Sequence, residues 1–184
     1  MEYDLLGWPP DGPTLRLDYE RFSYAGKFVM TNTGKAVART DEDEIVAAVA
    51  FNEDRTDAST LWLRYVTVAR DRRGEGIGPE LLARVRDRAL ERGYDRLRIA
   101  VNNPFAYEAL YRTGFAYTGE TTGIAELVLE HPAPVDDEGD FDGEPDAKAR
   151  YQAGLEEFRE RELSDAEAEF LESREGSEPP TLES

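Results

Sequence analysis

The chain has 184 residues, of which 40% are hydrophobic, so it is long enough to bury the core of one domain. Its formal net charge is −18, and a surface of that sign repels nucleic acid and anionic membranes. It contains no cysteine and one histidine, His131, which excludes disulfides, thiolate nucleophiles and metal sites built from several histidines. No segment resembles a signal peptide or a membrane span, so we expect a cytoplasmic protein.

Acidic residues run along the whole chain, and only three of the 22 basic residues are lysines. A single partner-binding patch does not account for acidity that is spread in this way. Molar salt shortens the Debye length to about 3 Å and screens the self-repulsion of such a chain. The composition therefore predicts a salt-loving source.

The first third of the chain reads mainly as strands. Leu15, Leu17 and Tyr19 alternate as in a strand, after a turn-rich lead-in at residues 7–13. Residues 20–34 carry no clear pattern. Further strands are predicted at 35–40, 44–52 and 60–69.

Helices and strands then alternate. An amphipathic helix is predicted over 79–92, ended by Gly93, and a second helix over 104–113 with Pro104 in its first turn. The strands around them are expected at 96–101, 115–119 and 124–130. This order predicts a mixed α/β fold.

The composition changes after residue 134. Residues 135–145 read as an acidic linker, and residues 146–175 as a helical hairpin whose second helix opens with the capping box Ser164-Asp165-Ala166-Glu167. Residues 176–184 are expected to be disordered. An apolar stripe on the first helix must be buried either on the same chain or in a homodimer; its residues are Tyr151, Leu155 and Phe158.

A glycine-rich loop precedes the 79–92 helix. Backbone N–H groups can converge on an anion there, because Gly74, Gly76 and Gly78 leave the loop uncrowded at a helix N-terminus. Arginines at 70, 72 and 73 add a local positive charge to a strongly acidic chain. A ligand-free glycine turn is the alternative that this loop alone leaves open.

Two motifs together resemble the GNAT family of N-acetyltransferases. The first is Arg73-x-x-Gly76-x-Gly78, set between a strand and an amphipathic helix, and the second is Asn103 followed by Gly114-Phe115. The resemblance covers roughly residues 44–130. It implies a mostly antiparallel central sheet flanked by helices, within an acetyltransferase domain at residues 1–134.

The resemblance also implies acetyl-CoA as the donor and an amine as the acceptor, which attacks the thioester directly. Backbone groups of Val66 and Val68 are implied to hold the pantetheine arm, with Asn103 contacting the cofactor from the next strand. The pyrophosphate is implied to lie on a continuous run of the loop: Arg73, Gly74, Glu75, Gly76, Ile77, Gly78 and Pro79.

Family members often use a tyrosine to protonate the departing thiolate. That tyrosine lies about eight positions after the asparagine, which here is Tyr111. Counted back from Gly114-Phe115, however, the position holds Leu110, and one residue on a helix is a rotation of about 100°. Tyr111 is therefore the candidate general acid, with Tyr107 one turn earlier as a second option.

The general base and the acceptor are not identified by any motif. Arg98 stands where some members carry a glutamate, and an arginine cannot accept a proton. Glu53, Tyr65, Glu108 or water are the alternatives. The acceptor is a small-molecule or protein amine. A non-catalytic, regulatory CoA-binding domain is the competing hypothesis.

Overall fold

The computed structural model describes residues 1–133 and 147–180. The chain divides into two compact units, Met1–Arg98 and Ile99–Ser184, here called the amino-terminal and carboxy-terminal units. The linker predicted at 135–145 lies outside the described residues, as do residues 181–184 of the predicted tail.

The amino-terminal unit is an antiparallel sheet covered by one helix. Its four strands follow each other in space as they do along the chain, each antiparallel to its neighbour: β1 (Glu2–Gly7), β2 (Gly34–Arg39), β3 (Ile45–Glu53) and β4 (Thr60–Val68). Helix α1 (Ile77–Arg92) ends at Gly93, whose φ of 112° and N–H bond to Leu90 form the predicted cap.

Both faces of β3 are covered, which explains its nearly continuous apolar run. One face packs on α1, and the other face carries Ala48 and Ala50, which pack with Phe28 and Val37. The β3–β4 register shifts between Ala50 and Phe51, so β4 carries one extra residue before its last four pairs. The shift sets which face the end of β4 presents to α1.

The strand predicted at Leu15 to Tyr19 is not formed. Leu15 makes a single backbone bond, donating its N–H to the Phe28 carbonyl at 2.8 Å, and Leu17 packs against the Phe28 cluster. The edge strand of the sheet is β1 instead, which the sequence pattern did not identify. Alternation at Leu15 and Leu17 thus reflects one-sided packing of an irregular segment.

The carboxy-terminal unit contains the remaining elements. The chain enters it within β5 and continues through three helices and two strands: β5 (Arg96–Val101), α2 (Pro104–Arg112), β6 (Ala116–Thr121), β7 (Leu127–His131), α3 (Ala147–Arg159) and α4 (Asp165–Ser173). The strand order is β5-β7-β6, and β6 pairs antiparallel with β7. The capping box predicted at Ser164 is formed.

The C-terminal hairpin packs on its own unit. Tyr151, Leu155 and Phe158 of α3 are at most 1% exposed, and α3 and α4 contact β6 and α2 respectively. The approach is close at Gly154, where a Cβ would lie 2.0 Å from the Tyr107 hydroxyl. The apolar stripe is therefore covered by the same chain.

The mixed α/β architecture with seven strands and flanking helices is thus confirmed, and the pairings β1–β2, β2–β3, β3–β4 and β6–β7 are antiparallel. Among the helices of the described ranges, none has the length and apolarity that crossing a bilayer requires.

Candidate active site

A tight loop joins β4 to α1 in the amino-terminal unit. It opens with one turn of 3-10 helix at Arg70–Arg72. Gly74 and Gly76 then have φ values of 85° and 78°, which side-chain-bearing residues adopt only with strain. A Cβ on either glycine would meet no heavy atom within 4 Å. The loop therefore combines a glycine-dependent backbone with free space in front of it.

The N-terminus of α1 is not capped by a side chain. Gly76 is the N-cap, so the first N–H groups of this 16-residue helix receive no side-chain acceptor. Pro79 in the first turn has no N–H to satisfy. The helix dipole adds about half a positive charge at this end. An anion in front of Ile77 and Gly78 would be stabilised by both effects.

The charged side chains of the loop are arranged in favour of an anion. The Glu75 carboxylate is paired with the Arg72 guanidinium at 2.9 Å, which offsets its negative charge. Arg73 is exposed and donates to the Ser23 hydroxyl at 3.1 Å and to the Val68 carbonyl at 3.4 Å. Ser23 is a contact that sequence reasoning missed, because nothing near it in the chain signals a partner 50 residues away.

Val66 and Val68 lie at the C-terminal end of β4, opposite Val49 and Ala47 of β3. Both valines are half-buried. A Cβ on Gly78 would lie 3.2 Å from a methyl carbon of Val68, so the start of α1 packs tightly on the end of β4. The structure thus brings the predicted residues from Val66 to Pro79 together in one unit.

Asn103 is the N-cap of α2 in the carboxy-terminal unit. Its side-chain oxygen accepts the N–H of Ala106 at 2.9 Å, and Pro104 occupies the first helical position. The side-chain amide nitrogen lies 3.4 Å from the Asn102 side-chain oxygen. Asn103 therefore sets where α2 begins, and with it the rotation of every side chain on that helix.

Tyr111 lies eight residues after this cap on a continuous helix that ends at Arg112. Counting from Asn103 gives Tyr111, whereas counting back from Gly114-Phe115 gives Leu110. The difference of one residue thus lies after Tyr111, in the turn that follows the helix. The Tyr111 side chain is 6% exposed, and its oxygen accepts the N–H of Tyr117 at 3.0 Å. Burial raises the pKa of Tyr111, against smaller opposing effects of its hydrogen bonds and of Arg150, so its hydroxyl is protonated at neutral pH.

Tyr107 differs from Tyr111 in the hydrogen bond that its hydroxyl group makes. It is fully buried and donates its hydroxyl proton to the backbone carbonyl of Tyr151 at 2.9 Å. Burial raises the pKa of Tyr107 far above its usual value. The Tyr111 hydroxyl lies 3.5 Å from that of Tyr107, too long for a strong bond. Of the two candidates, Tyr111 keeps the more available proton.

The carboxylates considered as bases are already engaged. Glu108 is buried, accepts a short hydrogen bond from the Tyr151 hydroxyl and pairs with Arg174 at 3.2 Å. Glu53 accepts the hydroxyl of Tyr94 at 2.8 Å. Within residues 1–133 and 147–180, no group of three histidine, aspartate or glutamate side chains is placed to hold a metal ion.

Several solved structures are similar to the chain. A nourseothricin acetyltransferase is 26% identical, with a TM-score of 0.48 over 55% of this chain and 66% of that one. A ribosomal-protein-alanine N-acetyltransferase from Brucella melitensis is 22% identical, with a TM-score of 0.48 over 53% and 67%. The PaiA N-acetyltransferase from Thermoplasma acidophilum, in complex with coenzyme A, is 17% identical, with a TM-score of 0.45 over 52% and 58%.

The chain therefore spans about two thirds of the length of the first two of these proteins. No curated protein sequence matches it. A family model, described as the acetyltransferase (GNAT) family, matches residues 2–115, more than half of the chain. That range contains the loop at 73–79, Asn103 and Tyr111. The chain belongs to the acetyltransferase (GNAT) family.

Proposed function

We propose that this chain is an acetyl-CoA-dependent N-acetyltransferase that transfers an acetyl group to an amine by direct attack of the amine on the thioester. Acetyl-CoA supplies an activated acetyl group to enzymes of this family. The observation that carries the proposal is the open glycine loop at the uncapped N-terminus of α1, flanked by arginines on a chain of net charge −18.

The loop fits a pyrophosphate group. The N–H groups around Gly76 and Ile77 would donate to its oxygens, and the open space in front of Gly74 leaves room for it. Arg73 would exchange its bonds to Ser23 and Val68 for stronger, charge-assisted bonds to the anion. Glu75 is neutralised by Arg72 and offers little repulsion.

Val66 and Val68 would hold the pantetheine arm by backbone hydrogen bonds, as the family resemblance implies. The arginine bond to the Val68 carbonyl is long, at 3.4 Å, so that carbonyl can be released at low cost. Asn103 would contact the cofactor through its side-chain amide, since its side-chain oxygen caps α2.

Tyr111 would protonate the sulfur of the departing coenzyme A. Its raised pKa keeps the Tyr111 hydroxyl protonated at neutral pH, so that a proton is available where negative charge develops on the sulfur. The engaged state of Glu53 and Glu108 supports a mechanism in which water removes the proton of the attacking amine. The acceptor would then need to arrive in its neutral form.

The first test is release of coenzyme A from acetyl-CoA with a panel of small primary amines, amino acids and a peptide with a free N-terminus. We expect release with at least one amine. Because the neutral amine is the reactant, kcat/KM for total amine should rise about tenfold per pH unit at pH values well below the pKa of an alkyl amine, about 10.4. A thiol reagent measures the release, and calorimetry measures coenzyme A binding in parallel.

A non-catalytic, regulatory CoA-binding domain is the second candidate. It is favoured by Arg98, at a position where some family members carry a glutamate, and by the engagement of both Glu53 and Glu108. Binding of coenzyme A without release from any amine would favour it. Failure to bind coenzyme A would contradict both functions.

We also propose that the protein is adapted to concentrated salt. Its net charge is −18, and its acidic side chains repel one another at low ionic strength. The midpoint of thermal unfolding should be higher in molar KCl than in dilute buffer, by roughly 2–4 °C for each kcal/mol of repulsion relieved. An unchanged midpoint would contradict this.

The cytoplasmic location and the homodimer stay predictions. Light scattering tests the homodimer.

A further inference from the structure

On strand β6, at the edge of the sheet, side chains bind backbone groups that no described neighbouring strand pairs with. β6 ends the order β5-β7-β6, and among the described residues it pairs with β7 alone. At Tyr117 the N–H donates to the Tyr111 oxygen at 3.0 Å, and the carbonyl accepts from the Arg150 guanidinium at 2.6 Å. Both backbone groups of Tyr117 are therefore satisfied by side chains from two different helices.

Arg150 is buried, with 5% of its surface exposed, in the first turns of α3. It stands on the same helix face as Gly154 and Leu155, where an apolar residue would be expected from the stripe. Burying an arginine is costly unless its guanidinium is paired or hydrogen-bonded, and the bond to Tyr117 is one such contact of Arg150. Its bond to the Tyr117 carbonyl holds the residue that also donates to Tyr111.

Uncharged groups of the described residues also surround the Tyr111 hydroxyl. Tyr107 of the same helix lies 3.5 Å away, the Tyr117 side chain comes from β6, and the Tyr151 ring of α3 is 4.9 Å from the Tyr111 ring. The nearby carboxylate of Glu108 is bound to Tyr151 and Arg174. The positive charge of Arg150 lowers the pKa of Tyr111 against the larger effect of burial.

We propose that Arg150 is a positioning residue that orients Tyr111 through Tyr117 and stabilises the tyrosinate left when Tyr111 gives up its proton. Arg150 lies in the C-terminal hairpin, beyond the residues that the family model matches. The inference rests on the proposed function. It gives the hairpin a part in the reaction in addition to its part in packing.

The amine nitrogen forms a bond to the acetyl carbon, and the carbon–sulfur bond breaks with its electron pair on sulfur. Tyr111 gives its proton to that sulfur, while the proton lost by the amine nitrogen goes to water. Solvent then reprotonates Tyr111. The positive charge of Arg150 stabilises Tyr111 most while Tyr111 is an anion.

A double-mutant cycle tests the coupling between the two residues. We expect Arg150→Gln to lower kcat about tenfold, with little change in KM for acetyl-CoA. In a Tyr111→Phe background the same substitution should change kcat by less than about twofold, because the group it acts on is gone. Arg150→Lys should restore part of kcat, since it keeps the charge.

Arg159→Gln is the matched control on the same helix. Arg159 also donates to a backbone carbonyl, that of Leu171 at 3.3 Å, but has no contact that leads to Tyr111 among the described residues. Its removal should lower stability and leave kcat close to that of the parent. Thermal unfolding of every variant separates loss of fold from loss of rate, and Arg150→Lys replaces Arg150→Gln in the cycle if the latter does not fold.

A readout without turnover is the titration of Tyr111, followed by NMR of ring-labelled tyrosine and assigned with Tyr111→Phe. Loss of the positive charge should move the pKa of Tyr111 upward in Arg150→Gln. An equal loss of kcat in both backgrounds, or no loss in either, would overturn this inference alone. Absence of acetyl transfer by the unmodified chain would overturn the proposed function and this inference with it.

Discussion

Replacing Gly76 with alanine should weaken coenzyme A binding about 100-fold, or about 2.7 kcal/mol. Gly76 holds φ at 78°, and an L-residue pays about 1–2 kcal/mol for that conformation. The backbone would relax away from it and turn the N–H groups at the start of α1 from the anion. The new methyl group would also stand in the open space that a pyrophosphate needs. Isothermal calorimetry with coenzyme A measures the change.

The other end of the same helix supplies the control. Gly93 caps the C-terminus of α1 with φ of 112°, and a Cβ there would also meet nothing within 4 Å. Gly93→Ala should therefore cost a similar amount in a urea unfolding experiment and leave coenzyme A affinity unchanged. Equal affinity of both variants and the parent would show that the loop is not the site.

Tyr111→Phe should lower kcat by at least about 10²-fold, the contribution typical of a general acid, with KM for acetyl-CoA nearly unchanged. The variant loses the proton that the sulfur would take, while its ring keeps the packing against Tyr107 and Tyr151. In the parent enzyme, the raised pKa of Tyr111 keeps the acid form through pH 10. The rate should then show no decline on the basic side below about that pH.

Tyr107→Phe is the control for this substitution. Each variant leaves one buried backbone group without its partner, the N–H of Tyr117 or the carbonyl of Tyr151, and should cost about 1–3 kcal/mol in stability. The two variants should thus unfold at similar urea concentrations and differ strongly in kcat. Equal kcat values would remove Tyr111 from the proposed mechanism.

Local chemistry made much of the fold predictable. Gly93 and the apolar face of the helix marked α1 to within two residues, and the strand at residues 96–101 was predicted with its observed ends. The capping box at Ser164 is a pattern of neighbours and formed as expected. These features depend on residues within one or two turns of each other.

The irregular segment before β2 was not predictable in the same way. Leu15 and Leu17 alternate as a strand would, but the neighbouring edge of the sheet is taken by β1, whose residues precede them. Which segment pairs with β2 is a competition between distant parts of the chain. Propensity alone does not decide it.

The amino-acid sequence by itself determined the glycine loop, the start of α2 at Asn103 and the acidic charge, because each follows from neighbouring residues or from composition. Only the tertiary structure decided that Arg73 reaches Ser23, that Tyr111 is buried against Tyr117, and that Arg150 closes that edge of β6. The physical reason is that a side chain's hydrogen-bond partner depends on which elements pack together. Such packing joins residues as far as 66 positions apart, as in the pair of Glu108 and Arg174, and no local pattern encodes it.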